Sequence, residues 1–271
     1  MELAIPANWG EIIEAGQYLD TVKILNTEYA SEAAMKMELV KLFSGLNGFD
    51  LGKEMKAGNE AQRKKKAEQL DLLIALQLME DVFPELDFLK EEKFTENPLP
   101  TFELNGIIYA GPDARLLNQT GEEWTISHHA NTVYYKTKDE KHLLALIAAN
   151  YHRVKNEKRS ALNADEMKED AEAFKALSAE MKLGIYLWYY NCEHWWSKKY
   201  TELYGEGDEK NGKPDKGKEI WELMFTLSGS ELGTNYDRVQ QRNRQEIFMA
   251  LEKLEKDAQK REMDEMSNLA R

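Results

Sequence analysis

The sequence has 271 residues, of which 42% are hydrophobic and 31% are charged, and its formal net charge is −13. This composition excludes a disordered chain and can supply a core for one large domain or two small ones. An acidic surface repels phosphate backbones and anionic lipid headgroups. It therefore argues against binding to nucleic acids or membranes and favours basic polypeptides as partners.

Cysteine content and apolar patterning predict the compartment. Cys192 is the single cysteine, which excludes an internal disulfide and favours a reducing cytosol. Residues 1–13 have no basic region followed by a long apolar run, so we expect no signal peptide. No apolar stretch of the sequence is long enough to span a bilayer.

The first part of the chain has apolar residues at helical spacing. This spacing predicts a helix over residues 16–26. Ser31 can cap a second helix by accepting a hydrogen bond from its first turn. We expect Gly45 and Gly48 to end that helix.

A longer helix is predicted over residues 59–83, with a charged first half and an apolar second half. Its basic run at residues 63–66 could suggest a nucleic-acid contact. Because acidic residues flank the run on the same helix, we interpret it as a solvated helix face.

Prolines mark an internal boundary after this helix. Pro84 and the segment of residues 96–102 interrupt the helical pattern. We therefore predict an N-terminal helical region over residues 1–94. Residues 95–271 would form a second helical region, which includes a hairpin and could pack with the first as one body.

The strongest local signal is the segment FELNGIIYA, residues 102–110. It places Asn105 and Gly106 between two short β-prone runs, which is the pairing preferred by a type I′ turn. We predict one short β-hairpin at about residues 101–110. Because both strands are short, the hairpin is expected to decorate a helical body without building a larger sheet.

The rest of the chain again shows helical patterns. Thr137 and Glu140 have the spacing of a capping box, and Asn163 fits a helix start. The predicted fold is therefore mainly α, a multi-helix bundle-like body with one hairpin. The further predicted segments are a helix over 116–135, an exposed loop over 205–217, a short helix over 220–227 and a terminal helical element over 236–271.

The aromatic content is highest in residues 184–204, GIYLWYYNCEHWWSKKYTELY. One helix face would carry most of its large apolar side chains, which predicts a core helix. An aromatic groove for a partner polypeptide is the alternative, because exposed Tyr and Trp suit interfaces. A platform for single-stranded nucleic acid is disfavoured by the acidic charge. The candidate partner-binding residues are Tyr186, Tyr190, Trp195 and Trp196.

Residues with catalytic or metal-binding spacing are not evident. The five histidines form neither an HExxH motif nor Cys/His metal spacing, and glycine-rich phosphate loops are missing from the sequence. Cys192 and His194 could suggest a thiol with a base, but positions two apart point in different directions on a helix. We therefore expect a protein that is not an enzyme and that has no catalytic, cofactor-binding or metal-binding residues.

Three blocks of the sequence resemble a group of tailed-bacteriophage proteins that are usually encoded near tail genes. The first block is IPANWGEIIEAGQYLDTVKIL with LVKLFSGL. The second is FELNGIIY with TGEEW and HLLALIAANYHR, and the third is GKEIWELMFTLSG with YDRVQQRNRQEIFMALEKLEKDAQKRE. The resemblance covers most of the chain, although each block is short.

This resemblance implies a role in tail morphogenesis without catalysis. The expected protein is an assembly chaperone that coats the tape-measure protein until tail-tube subunits polymerise around it. It would act in the cytoplasm of the bacterial host. A structural virion protein of the baseplate, connector or inner capsid is the alternative, and a small-molecule enzyme using the region of Cys192 and His194 ranks third.

Overall fold

The computed structural model describes residues 6–14, 16–44, 83–91, 94–200 and 239–269. The chain packs into two compact units, and residues 179–184 group with the N-terminal one. The separation into regions 1–94 and 95–271 stays a prediction. The predicted ends at Gly45 and Gly48, most of the helix over 59–83, the loop over 205–217 and the helix over 220–227 lie outside the described residues.

The first unit is built from short helices. Its helices are α1 (Trp9–Glu14), α2 (Tyr18–Leu25), α3 (Glu32–Ser44) and α4 (Phe88–Glu91), with a 3-10 turn at Phe83–Leu86. The predicted helix over residues 16–26 is confirmed as α2, and Ser31 Oγ accepts the Ala34 amide at 3.2 Å before α3.

Aromatic rings fill the core of this unit. The ring centroid of Trp9 lies 4.8 Å from that of Phe94, and Tyr18 meets Phe94 at 5.5 Å. Tyr18 Oη donates a hydrogen bond of 2.7 Å to the Gly184 carbonyl. A Cβ atom on Gly184 would lie 2.9 Å from the Tyr18 ring, so glycine is needed for this close approach.

The second unit combines helices with a small sheet. Its elements are β1 (Thr101–Leu104), β2 (Ile107–Ala110), α5 (Gly121–Thr137), α6 (Glu140–Asn150), β3 (His152–Lys155), β4 (Lys158–Arg159), α7 (Ala164–Ala173), the long helix α8 (Ala179–Lys199), which enters this unit from Ile185 onward, and α9 (Arg244–Leu269). The mainly α prediction is confirmed. No helix of the described ranges is long and apolar enough to cross a membrane.

The sheet is larger than the single predicted hairpin. The β1–β2 hairpin forms as expected, with Asn105 at φ 52° and Gly106 at φ 77°. However, β2 also pairs with β3, and β3 pairs with β4, which gives an antiparallel sheet in the order β1-β2-β3-β4. The prediction that the hairpin at 101–110 builds no larger sheet is therefore wrong.

Capping differs between the predicted and observed helix starts. Thr120 and Glu123 form the capping box of α5, with the Thr120 amide donating to Glu123 Oε2 at 2.9 Å. The predicted box at Thr137 and Glu140 is wrong, because Thr137 is the last residue of α5. Asp139 caps α6, and Asn163 caps α7 as predicted.

The two hairpin turns give a matched pair of stability predictions. Gly106→Ala should lower the free energy of unfolding by about 1 kcal/mol, because alanine is strained at positive φ. Glu157→Gly in the second turn should raise it by up to about 1 kcal/mol, because Glu157 already has φ 62°. Urea denaturation of each variant measures both changes, and shifts of the same sign would contradict the argument.

Candidate partner-binding surface

The aromatic helix α8 buries one face in the second unit. Its side chains at Ile185, Trp188, Tyr189 and Cys192 are at most 1% exposed. Trp188 Nε1 donates a hydrogen bond of 3.1 Å to the Thr95 carbonyl. This face follows the helical spacing of apolar residues in the sequence.

Trp196 belongs to the buried face and is removed from the candidate surface. It is 0% exposed, and its Nε1 donates to the Arg115 carbonyl at 2.6 Å. Its ring stacks on Phe248 at 4.8 Å and on Tyr200 at 5.5 Å. A partner cannot contact this ring in the observed fold, because the side chain is fully buried against Phe248 and Tyr200.

Trp195 is half-buried, but its ring is already in contact with cations of the same unit. The Arg115 guanidinium lies 5.0 Å from the ring centroid and the Lys199 ammonium lies 4.8 Å from it. The ring also meets Trp196 edge-on at 5.1 Å. These contacts leave Trp195 a minor candidate for partner binding.

The two remaining candidates, Tyr186 and Tyr190, lie beside two tyrosines of α5, which are Tyr134 and Tyr135. Tyr186 meets Tyr134 at a centroid distance of 4.9 Å in an edge-on geometry, and it lies 6.4 Å from Tyr190. Tyr135 is 63% exposed and Tyr190 is 41% exposed. We refer to these four residues as the tyrosine surface.

The hydroxyl groups of Tyr134 and Tyr186 remain neutral at physiological pH. Burial, together with the neighbouring tyrosines, raises the pKa of Tyr186 to about 12. Burial and the Glu140 carboxylate raise the pKa of Tyr134. The phenols can therefore donate and accept hydrogen bonds without carrying charge.

A cation shows how the rings of the tyrosine surface can be engaged. The Lys138 ammonium lies 4.9 Å from the Tyr135 centroid and 5.4 Å from the Tyr134 centroid. Lys138 has a left-handed conformation with φ 54°, which ends α5 and turns the chain beside both rings. Tyr134 and Tyr135 therefore contact a cation of their own unit, as Trp195 does, but Tyr135 remains 63% exposed.

Arg244 connects α9 to the two helices, α5 and α8, that carry the tyrosine surface. Arg244 at the start of α9 is 0% exposed, and its guanidinium carbon lies 4.8 Å from the Trp124 ring and 5.0 Å from the Trp196 ring. Its Nη1 donates to Glu193 at 2.5 Å and to Gln119 Oε1 at 3.2 Å. This cluster of contacts joins α9 to α5 and α8.

Cys192, which the sequence suggested as a possible nucleophile, lies in the buried core of the second unit. Burial raises the pKa of the Cys192 thiol, and its Sγ lies 3.8 Å from the Thr95 carbonyl. A neutral buried thiol is a poor nucleophile. In the part of the chain that the structure describes, no group of three His, Cys, Asp or Glu side chains could hold a metal ion.

Sequence reasoning found Tyr186 and Tyr190 but missed Tyr134 and Tyr135. The Tyr-Tyr pair was visible near the end of a predicted helix, but only the packing of α5 beside α8 brings the two pairs together. Comparison of the chain with protein-family models, curated proteins and solved structures found no match.

Proposed function

We propose that the chain is a non-enzymatic phage tail morphogenesis protein, an assembly chaperone that binds the tape-measure protein through the tyrosine surface. The observation that carries the proposal is the set of four partly exposed tyrosines on α5 and α8. Tyrosines give a large, rigid contact area at low entropic cost and are frequent at binding hot spots.

The role in tail assembly comes from the sequence resemblance to tailed-phage proteins. A long apolar client needs a binder that covers its helix faces and keeps the complex dispersed. The ring faces and neutral hydroxyls support the first requirement. The net charge of −13 supports the second, because like-charged complexes repel one another.

Co-expression with the tape-measure protein of the same genome tests the proposal. We expect the wild-type chain to keep the client in the soluble fraction and to co-purify with it. The double variant Tyr135→Ala/Tyr190→Ala should reduce co-purification by about tenfold or more, because hot-spot tyrosines contribute about 2 kcal/mol each. Both side chains are exposed, so the fold should be retained.

Met249→Ala is the matched control, because Met249 is 58% exposed on α9 of the same unit. It should leave co-purification unchanged. Equal loss in the control and the tyrosine variant would contradict a role for this surface. Stoichiometric amounts of the chain in purified particles would instead favour the structural virion protein.

A further inference from the structure

Lys138 places a cation of the chain itself on the tyrosine surface. Its ammonium lies 4.9 Å from the Tyr135 ring centroid and 5.4 Å from the Tyr134 ring centroid, distances at which an aromatic face attracts a positive charge. The Lys138 amide donates to the Tyr134 carbonyl at 2.8 Å, and its left-handed backbone holds the residue beside both rings. This contact indicates which chemical group the two rings accept.

The side chain of Lys138 is held by the rings and not by a carboxylate. The adjacent Asp139 caps α6 and pairs with the Lys141 ammonium at 2.9 Å, so its carboxylate is engaged elsewhere. In the ranges that the structure describes, Lys138 forms no ion pair. Lys138 is also exposed. Because an exposed cation–ring contact is weak, a competing cation can displace this ammonium.

The other half of the tyrosine surface has ring area without a cation. Among the described residues, no lysine or arginine lies over the ring of Tyr186 or Tyr190, and Tyr190 is 41% exposed. Tyr135 is 63% exposed despite its contact with Lys138. The net charge of −13 attracts cationic segments over a longer range. The rings and the overall charge therefore favour the same kind of partner, one with basic side chains.

We propose that the tyrosine surface binds a polypeptide segment that carries lysine or arginine side chains, and that one of these takes the place of the Lys138 ammonium on Tyr134 and Tyr135. The inference rests on the proposed function, because it names the chemistry of the segment that meets the same surface. Lys138 then acts as an internal competitor. Its removal should strengthen binding, because the partner no longer displaces it.

Fluorescence anisotropy with the full chain and labelled helical peptides tests this chemistry. The probes are short alanine-rich peptides with lysines on one helix face, and matched peptides with norleucine or glutamate at the same positions. We expect the lysine peptide to bind about tenfold more tightly than the norleucine peptide, and the glutamate peptide to bind most weakly. Equal or tighter binding of the norleucine peptide would indicate an apolar site, and a preference for glutamate would indicate an acidic partner. Either result overturns the proposal.

The double variant Tyr135→Leu/Tyr190→Leu separates ring contacts from simple attraction to an acidic protein, because it keeps the net charge and an apolar side chain at both positions. It should weaken binding of the lysine peptide about fivefold or more and change binding of the norleucine peptide by no more than about twofold. Equal losses for the two peptides, or an unchanged affinity for the lysine peptide, would contradict a contact between cation and ring.

Lys138→Met and Lys136→Met test the displacement. Both variants remove one exposed positive charge near the end of α5, but in the described part of the chain only Lys138 lies over tyrosine rings. Lys138→Met should strengthen binding of the lysine peptide about fivefold, and Lys136→Met by no more than about twofold, which is the share of the charge alone. Weaker binding by Lys138→Met, or equal gains in the two variants, would refute the role of Lys138 as a competitor.

Failure of this inference differs from failure of the proposed function. If the wild-type chain co-purifies with the tape-measure protein but shows no preference for the lysine peptide, the basic partner segment is wrong and the chaperone proposal stands. If the preference for lysine depends on Lys138 and the tyrosines but the tape-measure protein does not co-purify, the basic segment stands and the chaperone proposal falls.

Discussion

Arg244→Met is expected to lower the free energy of unfolding of the second unit by about 3–5 kcal/mol, the usual cost of breaking a buried ion pair. The substitution removes the cation between Trp124 and Trp196. It also leaves the carboxylate of Glu193, whose side chain is 12% exposed, without its ion-pair partner. It also removes a hydrogen bond to Gln119. Urea denaturation followed by tryptophan fluorescence measures the loss.

Two further variants identify the cause of this loss. Arg261→Met changes an exposed arginine of the same helix and should alter stability by no more than about 0.5 kcal/mol. Adding Glu193→Leu to Arg244→Met should recover part of the stability, because no charge is then left buried without a partner. If the double variant is less stable than Arg244→Met alone, the unpaired carboxylate of Glu193 is not the cause of the loss.

Local sequence signals predicted the elements that depend on local chemistry. The first hairpin follows from Asn105 and Gly106, whose φ values the type I′ turn requires. The second hairpin turns at Asn156 and Glu157 without a glycine, and its strands have four and two residues. Those strands form because β2 offers an edge to β3, which is a tertiary contact that spacing alone does not reveal.

The candidate site shows the same division between local and tertiary information. Helical spacing correctly placed Trp188 and Cys192 in the core. It also put Trp196 on the apolar face and Tyr190 off it, but the candidate partner-binding residues included both, because spacing alone does not show which rings a neighbouring helix covers. The packing of Phe248 on α9 covers Trp196. Arg244 gave no sequence signal, since its partners come from two distant segments, one at residues 119–124 and one at residues 193–196.

Trp196→Ala should lower the free energy of unfolding by about 3–5 kcal/mol, because it empties a large volume in a close-packed core. The variant also removes one of the two tryptophan rings that contact the Arg244 guanidinium, a contact of about 2 kcal/mol when it is desolvated. Tyr190→Ala, on the same helix, should change stability by only about 0.5 kcal/mol, because Tyr190 is 41% exposed.

A double-mutant cycle tests directly whether the Trp196 ring and the Arg244 cation stabilise the fold through their mutual contact. In a double-mutant cycle of Trp196→Ala and Arg244→Met, the combined loss of stability should be smaller than the sum of the single losses, because each variant removes the same cation–ring contact. The same cycle with Tyr190→Ala in place of Trp196→Ala should be additive within about 0.5 kcal/mol. Additivity in the first cycle would show that the tryptophan contributes volume alone. Coupling in the first cycle alone would establish that Trp196, and not Tyr190, acts together with Arg244 to hold α9 against α8.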